Sequence, residues 1–363
     1  MAGLYRVLLS FAALCVVCLA QSQSPAGDQQ PTAKDSKQPT PLHLVTVESV
    51  TATSEVATGF ADLVCDGDGN LFLGSESPSV PGIRKLSPKG ELTALFQPNA
   101  NPDVQVMGAG SFSVAEDGEV YLWVGSKNEI TRYVLVFKPD GSYKTRIKLQ
   151  PGFPWVPASI AVFPNGTLLM TGQEYDKDIH QAMWAFTGIF SADGTLLKEV
   201  NLEDDQAIHD MTAAHDPRVT SSRNPTSDRA VSWGRMEAAR DGNIYVMRWE
   251  SPAIFYAVSP GGEVVRRFTV DSGNSDFTPV EMHISGNQIA VLFVQHQSME
   301  RIMKVVDLEG HEIATYKELS ADGKPKPGAI GIAFACYDSK RERFTFLATG
   351  DNEKIQLKFA EAR

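Results

Sequence analysis

Short apolar runs alternate with polar turn residues along most of the chain, and no long stretch carries apolar side chains at the 3.6-residue spacing of an amphipathic helix. From Leu42 onward the runs are rich in β-branched and aromatic residues and are punctuated by Gly, Pro, Asn and Asp, the pattern of an all-β protein. One unit recurs: an apolar run, a turn closed by glycine, and a second apolar run. It reads Leu63-Val64-Cys65-Asp66-Gly67-Asp68-Gly69-Asn70-Leu71-Phe72-Leu73 in the first copy, and Phe112 to Leu122 around Gly118 in the second. It returns at Ile160 to Met170 around Asn165-Gly166, at Met236 to Val246 around Asp241-Gly242, and more loosely at Met282 to Val291 around Gly286-Asn287. Ile332 to Leu347 keeps both runs without the glycine turn.

A second turn follows each of the first five: Ser87-Pro88-Lys89-Gly90, Lys138-Pro139-Asp140-Gly141, Ser191-Ala192-Asp193-Gly194, Ser259-Pro260-Gly261-Gly262 and Asp307-Leu308-Glu309-Gly310. Two hairpins make four strands per unit, and a spacing of about 50 residues between the early units matches a propeller blade. The last unit supplies three strands, ending in Lys354 to Glu361, while Leu42 to Val50 is an alternating strand with no unit of its own. The expectation is an all-β, six-bladed β-propeller with four-stranded blades over 42–363, its ring closed by the N-terminal strand. These repeats resemble six-bladed propellers of the NHL or TolB-like kind. The resemblance covers Leu42 to Arg363, and because its motifs are turn chemistry it implies architecture alone.

The first residues read as a targeting segment. Arg6 precedes an apolar stretch, Val7 to Leu19, and Cys18-Leu19-Ala20 places small residues where a signal peptidase reads. That stretch is shorter than the ~20 residues of a spanning helix. A signal peptide over 1–20 is expected, with a retained anchor as the alternative. The residues ahead of Cys15 and Cys18 lack the small side chain that precedes a lipidated cysteine. Residues 21–41 are rich in Gln, Ser, Pro, Thr and Lys and read as a flexible tether. No other apolar run is long enough to span a membrane as a helix. The reading is therefore a secreted or periplasmic protein with no integral span after cleavage.

Composition sharpens this picture in two ways. With 42% hydrophobic and 21% charged residues in 363, the chain can bury a sizeable core. A net charge of -11 argues against nucleic-acid partners and anionic membranes, which need a basic face. Loss of the signal leaves Cys65 and Cys336, which fall in the inner strands of the first and last units. A disulfide across the ring closure and two buried thiols are both open.

Aligning the units on their first turn brings Asp62, Ser111, Ser159 and Arg235 to one position near the start of each inner strand, with Glu281 close to it. In a propeller that position lies at the mouth of the central channel. This ring can hold a small polar ligand or a protein partner, or it can form ion pairs in a water-filled channel. Phe153, Trp155 and Trp233 lie near the same rim and offer an apolar platform, if they are not spent on packing. On the same face are a loop with His180 and an insertion, 203–231, with His209 and His215, all among aspartates. These histidines can bind a divalent metal if they converge, or remain solvated, since their spacing matches no metal signature.

Two functions follow. The first is a ligand-binding or protein-interaction module at the channel mouth. The alternative is a metal-dependent hydrolase or lyase on that face, with Glu281 or Glu237 as general base. Other motifs fail. Asp66 to Asn70 begins like a calcium loop but has Leu71 and Ser77 where glycine and glutamate belong. Asn165-Gly166-Thr167 fits a glycosylation acceptor but occupies a tight turn. GxSxG and P-loop motifs are absent, and the CxxC at Cys15-Val16-Val17-Cys18 lies inside the expected signal peptide. The Glu-Gly-Pro and Asn-Gly segments of gluconolactonase-type propellers are not found where they belong. The successive blade histidines of propeller amidating lyases are also missing, since the fifth inner strand alone has one, His283.

Overall fold

The computed structural model describes residues 41–52, 60–75, 82–129, 131–176, 181–200, 202, 235–249, 251–295, 297–318, 328, 330–350 and 354–363. The expected signal peptide and nearly all of the tether lie outside these residues, as do the insertion 203–231, His180, His209, His215 and Trp233. Residues Pro39–Arg363 form one compact unit.

The described chain is strand and turn almost throughout. β1 (Leu42–Thr51) stands alone ahead of a regular series. One sheet holds β2 (Phe60–Cys65), β3 (Leu71–Ser75), β4 (Gly82–Leu86) and β5 (Leu92–Phe96), in that order. The next holds β6 (Val106–Val114), β7 (Val120–Ser126), β8 (Arg132–Phe137) and β9 (Tyr143–Lys148). A third has β10 (Trp155–Val162), β11 (Leu168–Asp176), β12 (Gln181–Phe190) and β13 (Leu196–Glu199). A fourth has β14 (Arg235–Ala238), β15 (Ile244–Arg248), β16 (Ala253–Val258) and β17 (Val264–Val270).

The remaining strands are β18 (Phe277–Ser285), β19 (Gln288–Gln295), β20 (Arg301–Asp307), β21 (Glu312–Glu318), β22 (Ala333–Asp338), β23 (Arg343–Thr349) and β24 (Ile355–Ala362). With β1 they form an eight-stranded sheet in the order β18-β19-β20-β21-β1-β24-β23-β22. The arrangement is propeller-like, four four-stranded sheets and one of eight strands. The first strands β2, β6, β10, β14, β18 and β22 touch one another in a closed cycle. β1 runs antiparallel to β24, as the sequence suggests, but Leu42 to Leu44 also pair in parallel with Tyr316 to Glu318 of β21. That second pairing is not encoded in any turn. It follows from β1 meeting the open outer edge of β21, whose backbone groups would otherwise lack partners.

Local turn chemistry sets the hairpins. In the second sheet Gly118 N–H donates to the Ala115 carbonyl at 2.9 Å and Ala115 N–H to the Glu119 carbonyl at 2.8 Å. The same pair of bonds recurs at the turns closed by Gly69, Gly90, Gly141, Gly166, Gly194, Gly242, Gly262 and Gly310. The closing residue must adopt a left-handed conformation, and Gly194 shows the requirement most sharply. Its φ is +88°, and a Cβ there would stand 2.1 Å from the Lys148 carbonyl oxygen. In the turn between β22 and β23 the left-handed residue is Glu342, with φ +49°.

Apolar residues from facing sheets interleave to make the core. Phe72, Phe96 and Phe137 form a file of rings with centroids 5.9 and 6.0 Å apart, joining the first sheet to the second. Each is fully buried, worth about 1.5–3 kcal/mol of transfer free energy apiece. Cys65 of β2 and Cys336 of β22 are joined by a disulfide, which resolves the open choice between a bridge and two thiols. The bond links the first of these strands to the last.

Candidate functional site

The strands of a sheet alternate in direction, so every inner strand starts on one face, together with the loops that join second strands to third. At this end most inner strands depart from regular pairing. Register shifts fall between Phe60 and Leu63, Ala109 and Phe112, Pro157 and Ser159, and Pro279 and Glu281. Such bulges re-aim a side chain out of the regular alternation. They flank Asp62, Ser111, Ser159 and Glu281, the positions that the repeat alignment singles out.

Three of those five residues meet. The Arg235 guanidinium donates from Nη1 to Asp62 Oδ1, and from Nη2 to Glu281 Oε2 at 2.7 Å, while its Nε stands 2.7 Å from Glu281 Oε1. Three inner strands, β2, β14 and β18, thus send one charge each to a common point. The side chain of Arg235 keeps a quarter of its surface exposed, and that of Glu281 about a tenth. Ser111 and Ser159 are half-buried. No hydrogen bond joins either side chain to the charged group among the described residues.

Directly below, Glu237 follows Arg235 on β14 and His283 follows Glu281 on β18, each two residues on and therefore on the same side of its strand. His283 Nδ1 lies 2.8 Å from Glu237 Oε1, and Glu237 Oε2 accepts the Ile284 N–H at 2.6 Å. His283 Nε2 faces the Phe334 carbonyl of β22 at 3.3 Å. The result is a two-rung ladder of alternating sign, arginine against glutamate above and glutamate against histidine below. Repeat alignment misses this lower rung. The two-residue strand period, applied to Arg235 and Glu281, would have found it.

The electrostatics follow from burial. Loss of water pushes the Glu281 carboxyl up to about 7, against the pull of Arg235 and His283, with Glu237 and Asp62 adding to the rise. Burial works against the charge on Arg235, but Glu281 and Asp62 more than offset it and raise its pKa. Burial likewise opposes a charged His283, yet Glu237, helped by Glu281 and the Phe334 carbonyl, lifts its pKa above the ordinary value.

Of the three platform residues, Trp155 and Phe153 are spent on packing. Trp155 is buried, stacked on Phe190 at 5.4 Å and 18° and edge-on to Phe186, so it packs the space between the second and third sheets instead of facing the rim. Phe153 is partly buried and sits edge-on to Phe186 at 5.0 Å. Hydrophobic packing outcompetes display because the indole can lie flat against other rings. The proposed metal ligands His180, His209 and His215 and the platform residue Trp233 lie outside the described residues. Among the described residues, Asp307, Glu309 and His311 lie close enough together to share an ion. They sit in the turn between β20 and β21, at the opposite end of the strands from Asp62, Arg235 and Glu281. Of the two candidate bases, Glu237 has both oxygens engaged, by His283 and Ile284, and Glu281 has both turned to Arg235.

No protein-family profile and no curated protein matches this chain. Solved structures do match. A Bacteroides fragilis protein taken to be exported aligns with a TM-score of 0.53 at 10% identity, over 88% of this chain and 95% of its own. The PQQ-bound aldose sugar dehydrogenase of Streptomyces coelicolor gives 0.47 at 10% identity, over 88% and 98%. A protein taken to be a gluconolactonase gives 0.46 at 12% identity, over 90% and 94%. At these identities the likeness is one of fold. No helix among the described residues is long and apolar enough to cross a membrane.

Proposed function

We propose that this chain is a secreted or periplasmic six-bladed propeller of the NHL or TolB-like type that binds a small polar ligand at the channel mouth through Arg235. In this reading the eight-stranded sheet is two blades joined at their outer edges by β1, and residues 1–20 are the export signal. The apolar stretch Val7 to Leu19 and the Cys65–Cys336 disulfide support an oxidising destination.

The observation that carries the binding role is the state of Arg235. Its guanidinium has five N–H groups; among the described residues one goes to Asp62 and two are turned to Glu281, which leaves two for a ligand acceptor. The side chain is held on two sides and still a quarter exposed, so a ligand meets a donor already oriented. Asp62, Arg235 and Glu281 are thus the binding residues, with Glu237 and His283 holding the strands beneath them.

The test is a thermal-shift screen of the mature chain against sugars, amino acids and small dicarboxylates. Compounds that raise the midpoint of the wild type should lose that effect in Asp62→Asn and in Arg235→Gln. Hits that stabilise all three proteins equally, or an absence of hits, would remove the channel mouth as a binding site.

A further inference from the structure

A second polar groove lies on the same face, away from the charged ladder. Its volume is about 440 Å³, within the range of about 300–1,000 Å³ typical of small-ligand sites. One wall is the link from β5 to β6, with Asn99, Asn101, Asp103 and Gln105, and the other is the link from β7 to β8, with Lys127 and Asn128.

Both walls are held from behind. Asn101 is buried and ties its own loop, donating from Nδ2 to the Pro98 carbonyl at 2.5 Å and accepting the Asp103 and Val104 N–H groups at 3.1 and 2.6 Å. Asp103 is braced by the Tyr143 hydroxyl at 3.0 Å and by Arg146, which donates to its carbonyl at 2.9 Å. The walls are joined where Lys127 N–H donates to the Gln105 carbonyl at 2.8 Å. Against this frame the carboxamides of Asn99, Gln105 and Asn128 are exposed and make no side-chain hydrogen bond among the described residues.

Each free carboxamide presents a donor and an acceptor side by side, which is what a hydroxyl group needs in order to accept and donate at once. The lining has one acid, Asp103, and one base, Lys127, so it favours neither a cation nor an anion. Val104 is buried and Val106 half-buried, so there is no open apolar hollow for a hydrophobic side chain. We infer that the groove between Asn99 and Asn128 binds a neutral polyhydroxylated ligand, the hydroxyl edge of a saccharide. The binding role is independent of the channel-mouth site.

Saturation-transfer NMR on the mature chain tests this, using lactose, maltose, cellobiose and N-acetylglucosamine as probes and acetyl-Gly-Gly-amide as the peptide control. At least one sugar should receive saturation and the peptide should not. Loss of one or two hydrogen bonds in Gln105→Ala or Asn128→Ala should weaken binding about tenfold, with the double Asn99→Ala, Asn128→Ala variant weaker still. All three side chains are exposed, so these variants keep the fold, which an unchanged urea midpoint verifies. Saturation of the peptide alone, or of no probe, overturns the inference. So does sugar binding that survives the groove variants but is lost in Asp62→Asn, because that places the sugar at the channel mouth.

Discussion

His283 Nδ1 lies 2.8 Å from Glu237 Oε1, and the other ring nitrogen of His283 faces the Phe334 carbonyl. Both neighbours are acceptors, so the ring satisfies both only when both nitrogens carry protons. Below its raised pKa the buried histidine is thus an imidazolium, joining β18 to β14 on one side and to β22 on the other. Together with the Arg235 pairs it connects four of the six inner strands through charge.

A pH dependence of stability follows, with its sign set by the direction of the shifts. His283 has a raised pKa in the fold, so its contribution is complete below the ordinary value of 6.5 and is lost as pH rises through the folded value. The raised Glu281 acts in the same sense, since the fold holds its proton more tightly than the unfolded chain does from pH 4.5 to about 7. The unfolding free energy from urea titration should fall between pH 5 and pH 8 by an amount on the order of 1–3 kcal/mol. Glu281→Gln should flatten the lower part of that slope and His283→Gln the upper part. A wild-type profile that rises with pH would contradict the ladder.

Removing Arg235 should cost more than removing the whole charge group. Arg235→Met leaves Asp62 and Glu281 turned toward each other without a cation, with an expected loss of about 2–4 kcal/mol in chemical denaturation. Adding Asp62→Asn and Glu281→Gln to that variant should recover much of the loss. If the single variant costs under about 0.5 kcal/mol, the three groups are solvated and do not act as a buried set.

The disulfide closes a very long loop, the two cysteines being 271 residues apart in sequence. Chain-entropy reasoning gives about 5–6 kcal/mol of stabilisation for such a closure. Cys65→Ser with Cys336→Ser should lower the urea midpoint accordingly, and hydrogen exchange should rise first in β2 and β22. Equal protection in both proteins would show that the inner-strand contacts hold the ring without the bond.

Glu342 carries a left-handed backbone in the one first-hairpin turn that lacks a glycine. A non-glycine residue there is strained by about 1 kcal/mol, part of which glycine returns as chain entropy. Glu342→Gly should therefore raise stability by up to about 1 kcal/mol, read as a rise in the thermal midpoint. In contrast, Gly194→Ala should lower it, because the added methyl meets the Lys148 carbonyl oxygen.

Export makes a direct prediction at the N-terminus. If the first segment is a cleaved signal, Edman sequencing of the protein recovered outside the cytoplasm should begin at Gln21. A start at Met1 in that fraction would refute cleavage.

Much of the architecture is local and was therefore legible along the chain. Turn glycines such as Gly118 and Gly166 need a left-handed backbone at one place in each hairpin, so their recurrence marks the hairpins and counts four strands per unit. Because the units repeat, one register places Asp62, Arg235 and Glu281 at the same height, and the fold does bring those three together. What no local rule contains is the distance between units. Whether Cys65 reaches Cys336 depends on how the cycle of inner strands closes. The pairing of β1 with β21 depends on an open strand edge supplied by another part of the chain. Trp155 could have faced the rim or the core, and the matching surface of Phe190 decided for the core. His283 gained its charge only when Glu237 and Phe334, from two other strands, came within hydrogen-bonding distance, because a charge in so dry a place survives only with partners that tertiary structure supplies.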